Sequence, residues 1–130
     1  MAWKIKTDLR TFIPMKVSIY HNPRCQKSRC ALKHLQEIGA EITVRLYLEH
    51  PLSRDELKVL QGHLDLPVNE WIRTQDKEYK NMIKGRNFSE SEMLDLLVQQ
   101  PKLMQRPIVK FGKRAVVARD IEALTSFNLE

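Results

Sequence analysis

The chain has 130 residues, 42% hydrophobic and 29% charged, which is close to ordinary globular usage and enough for one domain with its own core. That excludes disordered, collagen-like and membrane classes, and no apolar run approaches the roughly 20 residues that cross a bilayer. The net charge of +6 comes from 22 Lys and Arg against 16 Asp and Glu, with no block of consecutive bases that would mark a direct nucleic-acid binder.

Residues 1–15 read as a leader without regular structure, ahead of a single domain over 16–130. Lys4, Lys6, Asp8 and Arg10 leave no room for a secretory signal. A cytoplasmic protein is therefore expected, with its two cysteines as free thiols. The four His show no HxxxH spacing and the cysteines no CxxC, so no metal site is expected.

Residues 17–20 predict a strand, and His21-Asn22-Pro23 a turn. Ala31, Leu32, Leu35 and Ile38 then share one face of a helix that stops at Gly39. Ile42, Val44, Leu46 and Leu48 alternate with Thr43, Arg45 and Tyr47, which predicts a second strand over 42–48. Ser53 and Glu56 form a capping box for a helix carrying Leu57, Leu60 and Leu64. Pro67 predicts a short helix through Trp71 and Ile72, and 74–88 reads as loop with at most a short helix. Ser89 and Glu92 cap another helix, with Met93, Leu96 and Leu97, that ends at Pro101. Ile108-Val109 and 115–117 predict a hairpin turning at Gly112, and Ile121 and Leu124 a closing helix. The class is α/β. The order β–α–β, several helices, then β–β–α is that of a thioredoxin-like sheet with a helical insertion between its second and third strands.

Cys25 falls between the first strand and the first turn of the first helix. Free backbone N–H groups and the positive helix end favour a thiolate there. Arg24, Lys27 and Arg29 add positive charge, and His21 and the Ser28 hydroxyl are candidates to donate hydrogen bonds to the sulfur. The polar flanks favour a reactive thiol over a buried structural cysteine. Cys30 lies roughly 140° further round the helix. It reads as a small filler beside Ala31, with a resolving thiol as the alternative.

The run His21-Asn22-Pro23-Arg24-Cys25-Gln26-Lys27-Ser28-Arg29 resembles the H-N-P-x-C-x-x-S-R signature of the glutaredoxin-coupled arsenate reductases. The resemblance extends through Leu46-Tyr47-Leu48, Pro51, 53–57, Ile72-Arg73, 105–109 and Ala118-Arg119, over about residues 17–126. It implies that Cys25 is the nucleophile and that Arg73, Arg106 and Arg119 bind the oxyanion. It also implies that Arg106-Pro107 is the cis bond of thioredoxin-like proteins. The implied reaction is reduction of arsenate to arsenite through a Cys25–arsenic adduct, with glutathione as co-substrate, glutaredoxin as partner and no tightly bound cofactor. A monomer with arsenate or a similar oxyanion as ligand is expected. Two departures stand out: Cys30 where the family is usually polar, and Asp120 where it commonly has Pro. Two rivals remain. One is a redox-sensing regulator of the same fold that binds RNA polymerase (the Spx type), which carries CxxC where this chain has Ser28. The other is a thiol oxidoreductase of the same fold with another substrate.

Overall fold

The computed structural model describes residues 4–6, 12–119 and 121–126, with side chains at 15–119 and 122–125. Within 1–15, the strands β1 (Lys4–Lys6) and β2 (Phe12–Pro14) pair antiparallel, and the Met15 side chain is buried in the core. Two compact units share the chain, Met1–Leu46 with Arg106–Glu130 and Tyr47–Gln105.

The first unit is built on β3 (Lys16–Tyr20), α1 (Gln26–Glu37), β4 (Glu41–Arg45), β5 (Ile108–Phe111), β6 (Arg114–Val117) and α5 (Ile121–Ser126). Its sheet runs β4-β3-β5-β6. β3 pairs parallel with β4 and antiparallel with β5, and β5 pairs antiparallel with β6. Along β3 the buried Val17 and Ile19 alternate with less buried neighbours, the period-2 pattern of a sheet with a packed face. On that face they meet Ala31 and Leu35 of α1, Val109 of β5, Ala118 and Leu124. α1 stops where Gly39 takes φ 77°. The Gly39 N–H donates to the Gln36 carbonyl and the Ala40 N–H to the Leu35 carbonyl, the two bonds of a Schellman end. Gly112, at φ 58°, opens the two-residue loop of the β5–β6 hairpin, where the first central position favours glycine.

The second unit is the expected helical insertion. Its α2 (Arg54–Leu64) and α4 (Glu90–Gln99) both open with complete capping boxes, at Ser53/Glu56 and Ser89/Glu92. Arg54 pairs with Asp95 at 2.6 Å and donates to Ser91, while Gln61 donates to Glu90. These contacts tie the two helices together. The same Glu90 carboxylate accepts the Val68 N–H at 3.0 Å.

The sequence reading is corrected at three places. The strand predicted over 42–48 ends at Arg45, because its partner β3 ends at Tyr20; Tyr47 then turns into the second unit's core. The helix predicted from Pro67 is one short turn, Val68–Glu70, and Ile72 instead bridges Met104 in antiparallel fashion. Residues 74–88, read as loop with a short helix, hold the seven-residue α3 (Lys77–Ile83), capped by Asp76. Cys30 is exposed, not a filler, because α1 buries the stripe of Ser28, Ala31 and Leu35.

Candidate active site

The sheet register collects the candidate groups of the first unit at one end. Tyr20, the last residue of β3, lies opposite Ile108, the first of β5, and Ile108 lies opposite Val117, the last of β6. His21 to Cys25, Arg106-Pro107 and Ala118-Arg119 therefore all leave the sheet at the same edge. The Ala118 N–H donates to the Pro107 carbonyl at 2.9 Å and the His21 N–H to the Arg45 carbonyl at 2.8 Å. The Arg106-Pro107 peptide bond is cis.

The loop between β3 and α1 is drawn tight by its own polar groups. The Cys25 N–H donates to the Asn22 carbonyl at 3.0 Å, and the Arg24 N–H to the Asn22 side-chain oxygen at 3.0 Å. Arg29 Nη1 donates back to the Pro23 carbonyl at 2.9 Å. Ser28 is fully buried, and its hydroxyl oxygen accepts the Asn22 N–H at 3.0 Å while lying 2.6 Å from His21 Nδ1. Burial, and then the positive charge of Arg29, hold the His21 pKa below its ordinary value. A neutral His21 whose Nδ1 accepts the Ser28 proton satisfies both side chains.

Cys25 is the N-cap of α1, with its backbone extended at φ −96° and ψ 122°. Its side chain is half-buried. The sulfur closes no full side-chain cap bond, although the Ser28 and Lys27 N–H groups are near enough to favour its thiolate. Burial alone would raise the thiol pKa. The Ser28 N–H, the Arg106 guanidinium through both contact and charge, and the Lys27 N–H together outweigh burial and bring it below the ordinary value. The thiolate is thus stabilised by fixed dipoles and one permanent cation. Arg106 is itself half-buried, and its Nε has no hydrogen-bond partner among the described residues. Arg119 stands exposed just past β6.

Sequence reasoning expected His21 and the Ser28 hydroxyl at the sulfur. The structure places the hydroxyl on His21 and Asn22, and it is the Ser28 backbone N–H that serves Cys25. Asn22, which organises the loop through three contacts, was not singled out from the sequence; the Asn-Pro turn signal was the only hint of it. Arg73 belongs to the second unit. There its N–H donates to the Leu103 carbonyl at 2.6 Å, and its guanidinium faces the Lys102 carbonyl and the Asp76 carboxylate. A cleft of about 470 Å³ in that unit, walled by Met82, Arg86, Phe88 and Asp95, includes none of the candidate residues. Among the described residues no three His, Cys, Asp or Glu side chains are grouped to hold a metal ion.

Known proteins resemble this chain. An arsenate reductase of Escherichia coli is 37% identical over 94 residues, covering 72% of this chain and 67% of that protein. The protein YfgD of Escherichia coli strain K12 is 40% identical over 112 residues, covering 82% and 92%. An arsenate reductase from Vibrio cholerae superposes with a TM-score of 0.82 at 35% identity, over 88% of this chain and 99% of that one. The family model described as "ArsC family" matches residues 20–127, so this sheet, with its cysteine at the head of the first helix, belongs to the ArsC family.

Proposed function

We propose that the protein is a thiol-dependent arsenate reductase in which Cys25 is the nucleophile. The observation that carries the reading is the Arg106 guanidinium facing the Cys25 sulfur at the start of α1. A lone thiolate needs no such partner, whereas an oxyanion arriving at that thiolate does. The unpartnered, buried Nε of Arg106 is a donor whose desolvation an anion would offset. Relatives at 37% and 35% identity carry the name arsenate reductase.

In this reading, Arg106 and Arg119 supply guanidinium donors to the tetrahedral oxyanion. The Cys25 thiolate attacks arsenic, and one arsenate oxygen leaves as water after taking up protons. Two electrons then pass to arsenic. Two glutathione thiols supply them, becoming a disulfide by exchange through a glutaredoxin, and arsenite is released. His21 and Ser28 act by shaping the loop that presents Cys25. The route uses no resident cofactor, and its thiols suit a reducing cytoplasm. No helix among the described residues is long and apolar enough to cross a membrane. The regulator reading is not favoured: Ser28, where that group carries its second cysteine, is fully buried against His21.

The test is arsenate reduction coupled to glutathione, glutaredoxin and a disulfide-reductase readout, with wild type and Cys25→Ser side by side. Turnover by the wild type alone is expected. Equal turnover by the variant removes Cys25 as nucleophile. No turnover by either, from folded protein with a titratable Cys25 thiol, turns the reading to another thiol substrate.

A further inference from the structure

β4 lies at one margin of its sheet, and among the described residues it pairs with β3 alone. The Glu41 N–H donates to the Met15 carbonyl at 2.7 Å, and the Arg45 carbonyl accepts the His21 N–H at 2.8 Å. Successive residues of a strand turn their backbone groups to alternate sides. Glu41, Thr43 and Arg45 therefore address β3, while Ile42 and Val44 turn their N–H and C=O groups away from it. Proline and bulges are common guards of such an edge. β4 has no proline, and its register with β3 is continuous over all five residues. The side chains repeat the pattern. Val44 stands beside Ile19 on the face packed against α1, yet Val44 is 43% exposed and Ile19 fully buried. Ile42, on the same face, touches the core cluster and is only half-buried. The apolar face thus runs out past the last strand. On the opposite face Glu41 and Thr43 are exposed. Glu41 reaches Lys16 at 4.0 Å, a loose surface pair that leaves its carboxylate open to a second cation.

We propose that this edge receives a second copy of the chain, β4 against β4, antiparallel about a two-fold axis at Thr43. The run Glu41-Ile42-Thr43-Val44-Arg45 complements its own reverse. Ile42 falls opposite the partner's Val44, Thr43 opposite the partner's Thr43, and Glu41 opposite the partner's Arg45. Apolar, threonine and opposite-charge pairs are the favourable kinds across a ladder. Ile42 and Val44 are also the residues whose backbone groups point outward. Each Ile42–Val44 pair therefore exchanges two hydrogen bonds. Sliding the register by two residues in either direction would lose one of those pairs. A parallel, in-register pairing would set Glu41 against the partner's Glu41 and Arg45 against the partner's Arg45, which like charges disfavour. An edge this short buries less than a standard interface, so the dissociation constant is expected on the order of 10–100 μM. The monomer expected from the sequence is then the species at low concentration.

The experiment is analytical ultracentrifugation of the full chain from about 2 μM to about 1 mM, a range that brackets such a constant. A reducing agent keeps the exposed Cys30 from linking two copies. The mass is expected to rise with concentration from that of one chain towards that of two. Glu41→Lys and Arg45→Glu each set like charges opposite one another, and each is expected to raise the dissociation constant by about tenfold or more. An equimolar mixture of these two variants restores opposite charges at both ends of the pairing and is expected to associate as the wild type does. Thr43→Lys sets two cations face to face on the axis and is expected to weaken association without altering either end. A wild type that stays monomeric throughout overturns the proposal and leaves the edge to another occupant. A constant unchanged in all three variants places the contact elsewhere and overturns it too. A mixture that associates no better than its two components overturns the antiparallel register.

Discussion

The Cys25 thiol titrates under opposing forces. Burial favours the neutral thiol; the Ser28 and Lys27 N–H groups and the Arg106 guanidinium favour the thiolate and prevail. The backbone groups survive any side-chain substitution, whereas the cation does not. Arg106→Ala is therefore expected to move the midpoint of Cys25 alkylation by iodoacetamide to higher pH, and an unmoved midpoint would show that the dipoles alone suffice. The same variant is expected to lower kcat/KM for arsenate by about 10- to 100-fold, the scale of a charged hydrogen bond. Much of this chemistry was legible in the sequence, because cysteine and arginine carry it in their side chains. What was not legible is the split use of Ser28, hydroxyl to His21 and N–H to Cys25. The backbone N–H is common to every residue type except proline, so no letter in the sequence announces it.

The helices begin in two different ways, and the contrast belongs to function. α2 and α4 each start with a serine capping box and acidic residues in the first turn. α1 starts with a cysteine that closes no cap bond and has no acid in its first turn. An acid there would suit the helix dipole but would compete with a thiolate for the same N–H groups. α1 thus gives up local stability to keep its positive end for the sulfur. Cys25→Ser is accordingly expected to raise the unfolding free energy by about 0.5–1 kcal/mol, the scale of an N-cap gained, while abolishing turnover. Urea denaturation of the two proteins checks this, and a destabilised variant would mean that the sulfur's packing outweighs the cap. At α2 the opposite change, Ser53→Ala, is expected to cost about 1 kcal/mol. Both capping boxes were plain in the sequence as Ser-x-x-Glu. The Asp76 cap of α3 was missed because it lies in a polar stretch without helical periodicity, and β4 was overrun because alternation does not show where a neighbouring strand ends.

For the whole chain, the sequence revealed the order of elements and the β5–β6 hairpin, but not which strands flank β3. Period-2 alternation at Val17 and Ile19 identifies a buried face, yet it cannot say that β3 lies between β4 and β5. That placement is set by which apolar faces meet, and it brings His21 from the end of a strand to a nearly sealed position, 5% exposed and bonded to Ser28. Sealing has a global consequence. Burial first, and Arg29 second, push the His21 pKa below its ordinary 6.5. The unfolded chain therefore takes up a proton at His21 at a higher pH than the folded one does. Between the two pKa values the unfolded state binds more protons, so stability rises with pH across that window and is lost as pH falls through it. Asp76 and Glu92 are also held below their ordinary 3.8 and 4.5, so their own losses begin at lower pH. Urea denaturation at intervals between about pH 7.5 and pH 5 is thus expected to show declining stability from about pH 6.5 downward. His21→Gln keeps a polar side chain beside Ser28 but has no proton to gain, and its stability is expected to change less over the same interval. A variant with the wild-type slope would place the proton uptake on another group and would remove His21 as the source of acid sensitivity.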